Sequence, residues 1–380
     1  MTAKRILTVV GARPQIIKAA AIGRAVRGAF KGRLEEVLLH TGQHYDANMS
    51  QVFFDELGIA PADIQLGVGS GSHGVQTARM IEGIEQAILA QRPDVVVLYG
   101  DTNSTLAGAV AAAKLHVPVA HVEAGLRSFN KAMPEELNRV VCDHCSTWLF
   151  CPTATAVRNL EREGFSTTVT GPASADRPHV LLSGDVMYDN SLHFAKLAAE
   201  RSTLLKELGL EPGAFLLATV HRDHNTDAPA RLAAIMSGLL AVAQEHGLPV
   251  VLPLHPRTRK QLAALSGPVR QEVEEGSMVR IIPPAGFLDM IALENGARLV
   301  LTDSGGVQKE AFFFGKPCVI LRAETEWVEL VESGDAILVD ADTDRMIGAA
   351  RALMARGAAQ GTNLFGDGHA AEKICTALLA

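Results

Sequence analysis

Short, almost wholly apolar runs alternate along this chain with longer stretches whose apolar residues recur at three- and four-residue spacing, a pattern that predicts strands interleaved with helices. The first run, Arg5-Ile-Leu-Thr-Val-Val10, ends at Gly11 and leads from Pro14 into an Ala- and Ile-rich helical stretch. Further strands are predicted at 37–41, 95–99, 117–122 and 149–151, and helices at 76–91, 104–115 and 134–145. The last helix starts with Pro134, whose missing N–H does no harm in a first turn. Runs that are apolar throughout, rather than alternating, fit strands covered on both faces, which implies a parallel sheet between helical layers.

The pattern lapses into turn-forming residues at Gly171-Pro-Ala-Ser-Ala-Asp-Arg-Pro178. A domain boundary is expected near residues 184–200. Beyond it the alternation resumes, with strands predicted at 215–220, 250–253, 279–282, 299–302, 318–321 and 336–339. The expected fold is therefore α/β: two doubly wound, Rossmann-like domains, 1–188 and 189–368, with a C-terminal helix at 369–380 packing back toward the first. Ligands of open parallel sheets bind beyond the carboxyl ends of the strands, so two such domains are expected to face a central cleft that holds the active site.

Composition narrows the function. A chain of 380 residues with 48% hydrophobic and 20% charged residues has ample material for two cores. With 35 Lys+Arg against 42 Asp+Glu, the net charge of −7 gives no global attraction to nucleic acid or an anionic membrane, and neither is expected as a partner. No apolar run reaches the roughly 18 residues of a spanning helix, and residues 6–10 are too short for a signal core, so a cytoplasmic location is expected. The five cysteines (Cys142, Cys145, Cys151, Cys318, Cys375) read as free thiols rather than a disulfide framework. Cys142 and Cys145 have CxxC spacing but lack a second pair of ligands, so no metal site is expected.

Chemistry concentrates just past the strands. Thr302-Asp-Ser-Gly-Gly-Val-Gln-Lys-Glu-Ala311 opens a helix after a strand: Gly305 and Gly306 allow close backbone approach, Ser304 can donate, and the helix start favours an anion. Glu310, two turns on, is placed to accept bonds from a ribose diol. The same segment also reads as an ordinary capped turn. Arg13 and Lys18 bracket the first helix as a forked donor and a point charge for a diphosphate, or as a solvated basic pair. Asp101 and Glu123 follow two strands, and Glu135 and Glu136 open a helix, where the dipole favours acids in any case. Asp101 reads equally as a helix cap, whereas Glu123 needs a cationic partner, for which Arg127 is the candidate. After residue 220, His221 and Arg222 point toward the expected cleft, and His255 and its neighbours add positive charge.

Taken together, Gly11-Ala-Arg-Pro-Gln, Thr41-Gly-Gln-His44, Gly100-Asp-Thr-Asn-Ser, His121-Val-Glu-Ala-Gly-Leu-Arg, Met133-Pro-Glu-Glu-Leu-Asn-Arg139, His221-Arg, His255-Pro, Thr302-Asp-Ser-Gly-Gly-Val-Gln-Lys-Glu310 and Thr325-Glu326 resemble the UDP-N-acetylglucosamine 2-epimerase family, in order and over nearly the whole chain. The resemblance implies a fold like the GT-B glycosyltransferases, a homodimer, a UDP-sugar substrate, no cofactor, and a place in polysaccharide biosynthesis. It assigns catalytic acids to Asp101, Glu123 and Glu135 and a catalytic histidine to His221. Nucleotide contacts fall on Arg13, Ser304, Gly305, Gly306 and Glu310, with Lys18, Arg139, Arg222 and His255 as further substrate-binding candidates. The implied reaction interconverts UDP-GlcNAc and UDP-ManNAc through a 2-acetamidoglucal. Alternatives are 2-epimerisation of UDP-2,3-diacetamido-2,3-dideoxy-glucuronate, a hydrolysing epimerase, a glycosyltransferase of the same fold, and a non-catalytic sensor. The chain departs from the family pattern at His224, where a glutamate is usual, and at Tyr45-Asp46, where members regulated by a second UDP-sugar often carry Arg-Glu.

Overall fold

Every apolar run becomes a strand of a parallel sheet in a computed structural model that describes residues 2–42, 60–265, 267–357 and 363–380. Two compact units result, Met1–Asn190 with Asn363–Ala380, and Ser191–Thr362. Residues 363–368, expected to end the second domain, belong to the first unit. In the first unit lie β1 (Lys4–Val10), β2 (Leu34–His40), β3 (Ile64–Gln65), β4 (Val95–Tyr99), β5 (Val119–Val122), β6 (Trp148–Cys151) and β7 (His179–Leu182), in the order β3-β2-β1-β4-β5-β6-β7. In the second lie β8 (Leu216–Thr219), β9 (Val250–Pro253), β10 (Val279–Ile282), β11 (Val300–Thr302), β12 (Cys318–Ile320) and β13 (Ala336–Leu338), ordered β10-β9-β8-β11-β12-β13. Neighbouring strands pair in parallel throughout both sheets.

Burial explains the uniform strands. Val95, Val96, Val97, Leu98 and Tyr99 all have zero exposure, because helices cover both faces of β4. On one face, helix His73–Gln91 presents Met80, Ile84 and Ile88 at four-residue spacing to Leu7, Val9 and Leu98. Helix Asn103–Lys114 joins them through alanines, and it comes so close that a Cβ on Gly108 would lie 2.5 Å from Leu98 Cδ2. The second unit repeats the arrangement with Leu232, Ile235, Met236 and Leu239 of helix Pro229–His246. Each such side chain contributes roughly 1.5–3 kcal/mol by leaving water.

Strands β3 and β7 were not expected. The first is two residues long, and the second follows the Gly/Pro-rich run 171–178, which masks the end of a sheet. Within that run, Ser174 and Arg177 exchange two backbone hydrogen bonds of 3.1 Å and close an exposed turn. In both sheets the order reverses beside the first strand of the unit, between β1 and β4 and between β8 and β11. Crevices at the carboxyl ends of such reversals are where open α/β sheets take ligands.

The C-terminal helix Ala370–Leu379 packs on helix Arg13–Arg27. Asp189 caps it, its carboxylate accepting the N–H of Ala370 at 3.0 Å and of Ala371 at 2.8 Å. Just before, Asp185 N donates to Phe365 O at 2.9 Å, which draws two backbones together at Gly184. Gly184 has φ +85, and a Cβ there would lie 2.8 Å from Phe365 O. Gly184→Ala should therefore cost about 2–3 kcal/mol from combined strain and clash. Gly209→Ala, at φ +61 with open space around it, should cost only about 1 kcal/mol. Equal melting-temperature losses in the two variants would refute the close-approach argument.

Candidate active site

The first unit gathers its polar groups where β1, β4 and β5 end. Gln15, 1% exposed, accepts the N–H of Gly11 at 2.9 Å and of Ala12 at 3.2 Å through Oε1. Its Nε2 donates to Tyr99 O at 2.8 Å and to Thr105 Oγ1 at 3.0 Å. One amide thus joins the ends of β1 and β4 to two helix starts, a role that composition alone does not mark. Arg13, next to it, is exposed at the first turn of its helix.

Glu123 lies at 10% side-chain exposure with Lys18 Nζ 2.6 Å from its Oε1. This overturns the expected Glu123–Arg127 pair. The chain turns at Glu123 (φ +71) and Gly125 (φ +77), which carries Arg127 to Asp143 at 2.7 Å and into a two-pronged bond with Glu163 at 2.6 and 2.7 Å. Lys18 accordingly balances a carboxylate. A Cβ added to Gly100 would lie 3.3 Å from Lys18 Nζ and 3.6 Å from Glu123 Oε1, so this ion pair abuts the residue before Asp101.

Asp101 is not the cap of the following helix; Thr102 is, accepting Ser104 N at 3.2 Å. The Asp101 carboxylate instead takes a short contact from Arg139, and Asn138 Nδ2 donates to the Asp101 carbonyl at 2.9 Å. Arg139 also donates to Glu136 at 3.1 Å. Glu136, assigned above to the helix dipole, is buried and holds a loop, accepting Ser128 N at 2.9 Å, Ser128 Oγ at 3.0 Å and Phe129 N at 2.9 Å. Burial alone would raise its pKa, but the Ser128 and Phe129 bonds and the Arg139 charge outweigh burial and leave it below the ordinary glutamate value. Glu135 is exposed on the first turn of helix Pro134–Cys145.

In the second unit, buried Asp303 organises the strand ends. Its carboxylate accepts the N–H of His221 at 3.1 Å, of Arg222 at 3.0 Å and Asn225 Nδ2 at 3.1 Å. His221 Nδ1 is 3.2 Å from the same carboxylate, with the ring half exposed. Asn225 also donates to Leu321 O at 2.9 Å, so this loop is fixed by residue 225; the unusual His224 beside it is exposed. His255 caps helix Pro256–Ala263, its Nδ1 accepting Arg257 N at 3.4 Å.

Ser304 caps helix Gly305–Phe313, accepting Val307 N at 3.5 Å. The two glycines differ. A Cβ on Gly305 would lie 2.2 Å from Glu326 Oε1, the movable end of a half-exposed side chain that would have to swing away, whereas one on Gly306 would meet nothing nearer than 3.9 Å. The open N–H at Gly306 is the feature suited to an anion. Fully buried Glu294 is pushed well above the ordinary carboxyl range, first by burial and then by the Glu310 charge. Cys142 is buried and unbonded to Cys145, and no group of three or more metal-binding side chains occurs among the described residues. Gln43, His44, Tyr45 and Asp46 lie outside the described residues.

Two doubly wound sheets with paired carboxylates on one and an anion-suited helix start on the other define an α/β protein of the GT-B-like class. The family profile described as UDP-N-acetylglucosamine 2-epimerase matches residues 29–379, and the chain belongs to that family. It is accordingly an epimerase, an enzyme of the isomerase class. The chain is 48% identical over 370 residues to the UDP-2,3-diacetamido-2,3-dideoxy-D-glucuronate 2-epimerase of Pseudomonas aeruginosa, covering 97% of this chain and 98% of that protein. It is 39% identical to the UDP-N-acetylglucosamine 2-epimerase of Methanocaldococcus jannaschii, with 97% of each chain covered. The crystal structure of that archaeal enzyme in complex with UDP-GlcNAc and UDP superposes with a TM-score of 0.79 at 38% identity, covering 98% of this chain and 99% of that one. No helix among the described residues is long and apolar enough to cross a membrane.

Lys18→Met removes the cation 2.6 Å from the largely buried Glu123 carboxylate and should destabilise the protein by about 3 kcal/mol. Adding Glu123→Gln should restore much of that loss in urea denaturation; additive losses would dissolve the pair. Asp143 gives a pH test. Burial would raise its pKa, but His121 and Arg127 outweigh burial and hold it below the ordinary aspartate value of 3.8. Its stabilising contribution is present above the unfolded value and lost as pH falls through the folded one. The stability gap between the wild type and Asp143→Asn should therefore be full at pH 6 and shrink below about pH 4; a gap that widens in acid would contradict this sign.

Proposed function

We propose that the protein interconverts UDP-N-acetylglucosamine and UDP-N-acetylmannosamine by eliminating UDP to a 2-acetamidoglucal and adding it back. The observation that supports this reading is that Asp101 follows Gly100 at the end of β4 while Glu123, at the end of β5, lies against Gly100, with Arg139 and Lys18 as their respective cations.

The chemistry requires such a pair. The C2 hydrogen of the substrate has no adjacent carbonyl, so a carboxylate of ordinary basicity cannot remove it directly. Departure of UDP from C1 creates positive character beside C2, and a carboxylate then takes the proton to leave the alkene. Inversion demands proton removal and return on opposite faces of C2, the task assigned to two acids from the set Asp101, Glu123 and Glu135. Arg13, His221 and the helix start at Ser304, Gly305 and Gly306 are assigned to the departing diphosphate, and Glu310 to the ribose. Lys18 and Arg139 orient the acids, while Arg222 and His255 border the nucleotide side. The reading extends to a cytoplasmic homodimer that supplies sugars for polysaccharide synthesis; light scattering of the purified chain checks it as twice the monomer mass.

The similarity to the Pseudomonas aeruginosa enzyme favours a second reading, in which the substrate is the 2,3-diacetamido-glucuronate analogue and the elimination is unchanged.

Incubation with each UDP-sugar in heavy water, followed by NMR at C2, tests the proposal. Deuterium at C2 with intact UDP-sugars of both configurations is expected. Net release of UDP with free sugar would instead indicate hydrolysis, and binding of both substrates without exchange would reject the epimerase reading. Asp101→Asn and Glu123→Gln should each lower the exchange rate by about 10²–10⁴-fold. UDP affinity should hold in both variants, because the proposed nucleotide contacts lie elsewhere.

A further inference from the structure

His121 and Asp143 lie beneath the acids, both fully buried. His121 Nδ1 is 2.6 Å from Asp143 Oδ1, and its Nε2 is 2.8 Å from the carbonyl oxygen of Gly100. A carbonyl oxygen can only accept, so Nε2 must carry a proton. Asp143 Oδ2 accepts Gly125 N at 3.2 Å and faces the Arg127 guanidinium at 2.7 Å, which is the environment of an ionised carboxylate. Oδ1 is then also an acceptor, and Nδ1 must carry a proton too. A neutral imidazole has only one N–H, and either tautomer would set two lone pairs against each other at one of these contacts.

We propose that His121 is held as a charged imidazolium that positions the two acids of the reaction, tying the Gly100 carbonyl, one residue before Asp101, to the strand that leads into Glu123. The groups facing it fit this charge. Helix Pro134–Cys145 contributes Asp143 and the Cys142 thiol, and the turn after β5 brings Arg127, which is itself answered by Glu163. His121, Asp143, Arg127 and Glu163 thus alternate in sign and sum to zero. Burial alone would drive the imidazole toward neutrality; Cys142 and the Asp143 carboxylate outweigh burial and raise its pKa well above the ordinary value. Gly100 and Glu123 both have positive φ (+59 and +71); Gly100 N donates to Val122 O and Glu123 N to Phe150 O, each at 3.1 Å, and the His121 clamp adds the bond to the Gly100 carbonyl that this backbone pairing leaves out.

The positioning role rests on the epimerase reading; the charge state does not. Nitrogen-15 NMR of the ring nitrogens in the native protein should show one histidine with both nitrogens protonated and slowly exchanging at pH 8.5. The signal is assigned by its loss in His121→Gln and His121→Asn. A neutral His121 at pH 7 overturns the proposal. As pH is raised further, kcat and the imidazolium signal should fall together, and a kcat that outlasts the signal also overturns it. The two variants separate the contacts: glutamine reaches the Nε2 position and keeps the Gly100 bond, whereas asparagine reaches only the Nδ1 position. We expect kcat about tenfold lower in His121→Asn than in His121→Gln, with KM and UDP affinity of both within threefold of the wild type. Equal kcat losses, or a loss confined to KM, would overturn the positioning role. A wild type without C2 exchange would end the epimerase reading and leave the NMR result standing.

Discussion

Carboxylates gathered at the carboxyl edge of a parallel sheet repel one another and lose water, and this site is stable because each of the buried or half-buried ones has a cation within bonding distance. Glu123 has Lys18, Asp101 and Glu136 share Arg139, and Asp143 has His121 and Arg127. These cations come from distant parts of the chain, so the pairs are also long-range staples: Lys18 and Glu123 are 105 residues apart, and Arg139 and Asp101 are 38 apart. The same contacts that make the acids tolerable therefore fix where they point. A buried pair of this kind adds little net stability compared with apolar packing, but losing one member is expensive, which makes the arrangement specific rather than strong.

The second unit solves a different problem with different means. Its ligand, on the proposed reading, is an anion, and an anion site needs donors with no competing acceptor. Asp303, directly past β11, is committed inward to the N–H groups of His221 and Arg222 and to Asn225. Tying down the backbone there sets the His221 ring at the surface beside the helix that Ser304 opens. Burial and then the Glu310 charge push the Glu294 carboxyl up, which disfavours a second negative charge behind the helix.

The architecture was legible because its signal is hydrophobic: strands buried on both faces must be apolar throughout, and helices between them must repeat every three or four residues. The edges escaped this logic. β3 is two residues long and β7 hides behind a Gly/Pro-rich turn, and neither has enough period to register. The motifs located the reactive edge of each sheet, since loops after parallel strands carry ligand-binding residues wherever the fold places them. Partner choice was not legible. Arg127 is four residues from Glu123 and was matched to it, yet two positive-φ residues in that turn send it to Asp143, and the true partner comes from the first helix. Glu136 and Gln15 were passed over for a related reason, since a helix start explains an acid or an amide locally, and only the fold reveals that each ties down a second segment.

On the proposed reading, carrying the acids and the anion cradle on different sheets has an electrostatic rationale. At an effective dielectric of about 20, a unit charge 5 Å from a doubly charged diphosphate feels roughly 7 kcal/mol of repulsion. Unpaired acids on the same strand ends as the cradle would oppose nucleotide binding by several such terms. With Lys18 and Arg139 bound to them, Glu123 and Asp101 present nearly neutral pairs to an arriving substrate. On the proposed reading the balance changes once the nucleotide leaves C1: the sugar becomes electron-poor at the moment its proton must be taken, and the carboxylate beside it gains a favourable partner. On that reading the attraction appears only after the nucleotide departs, which is the condition for an interaction to raise kcat rather than only tighten binding.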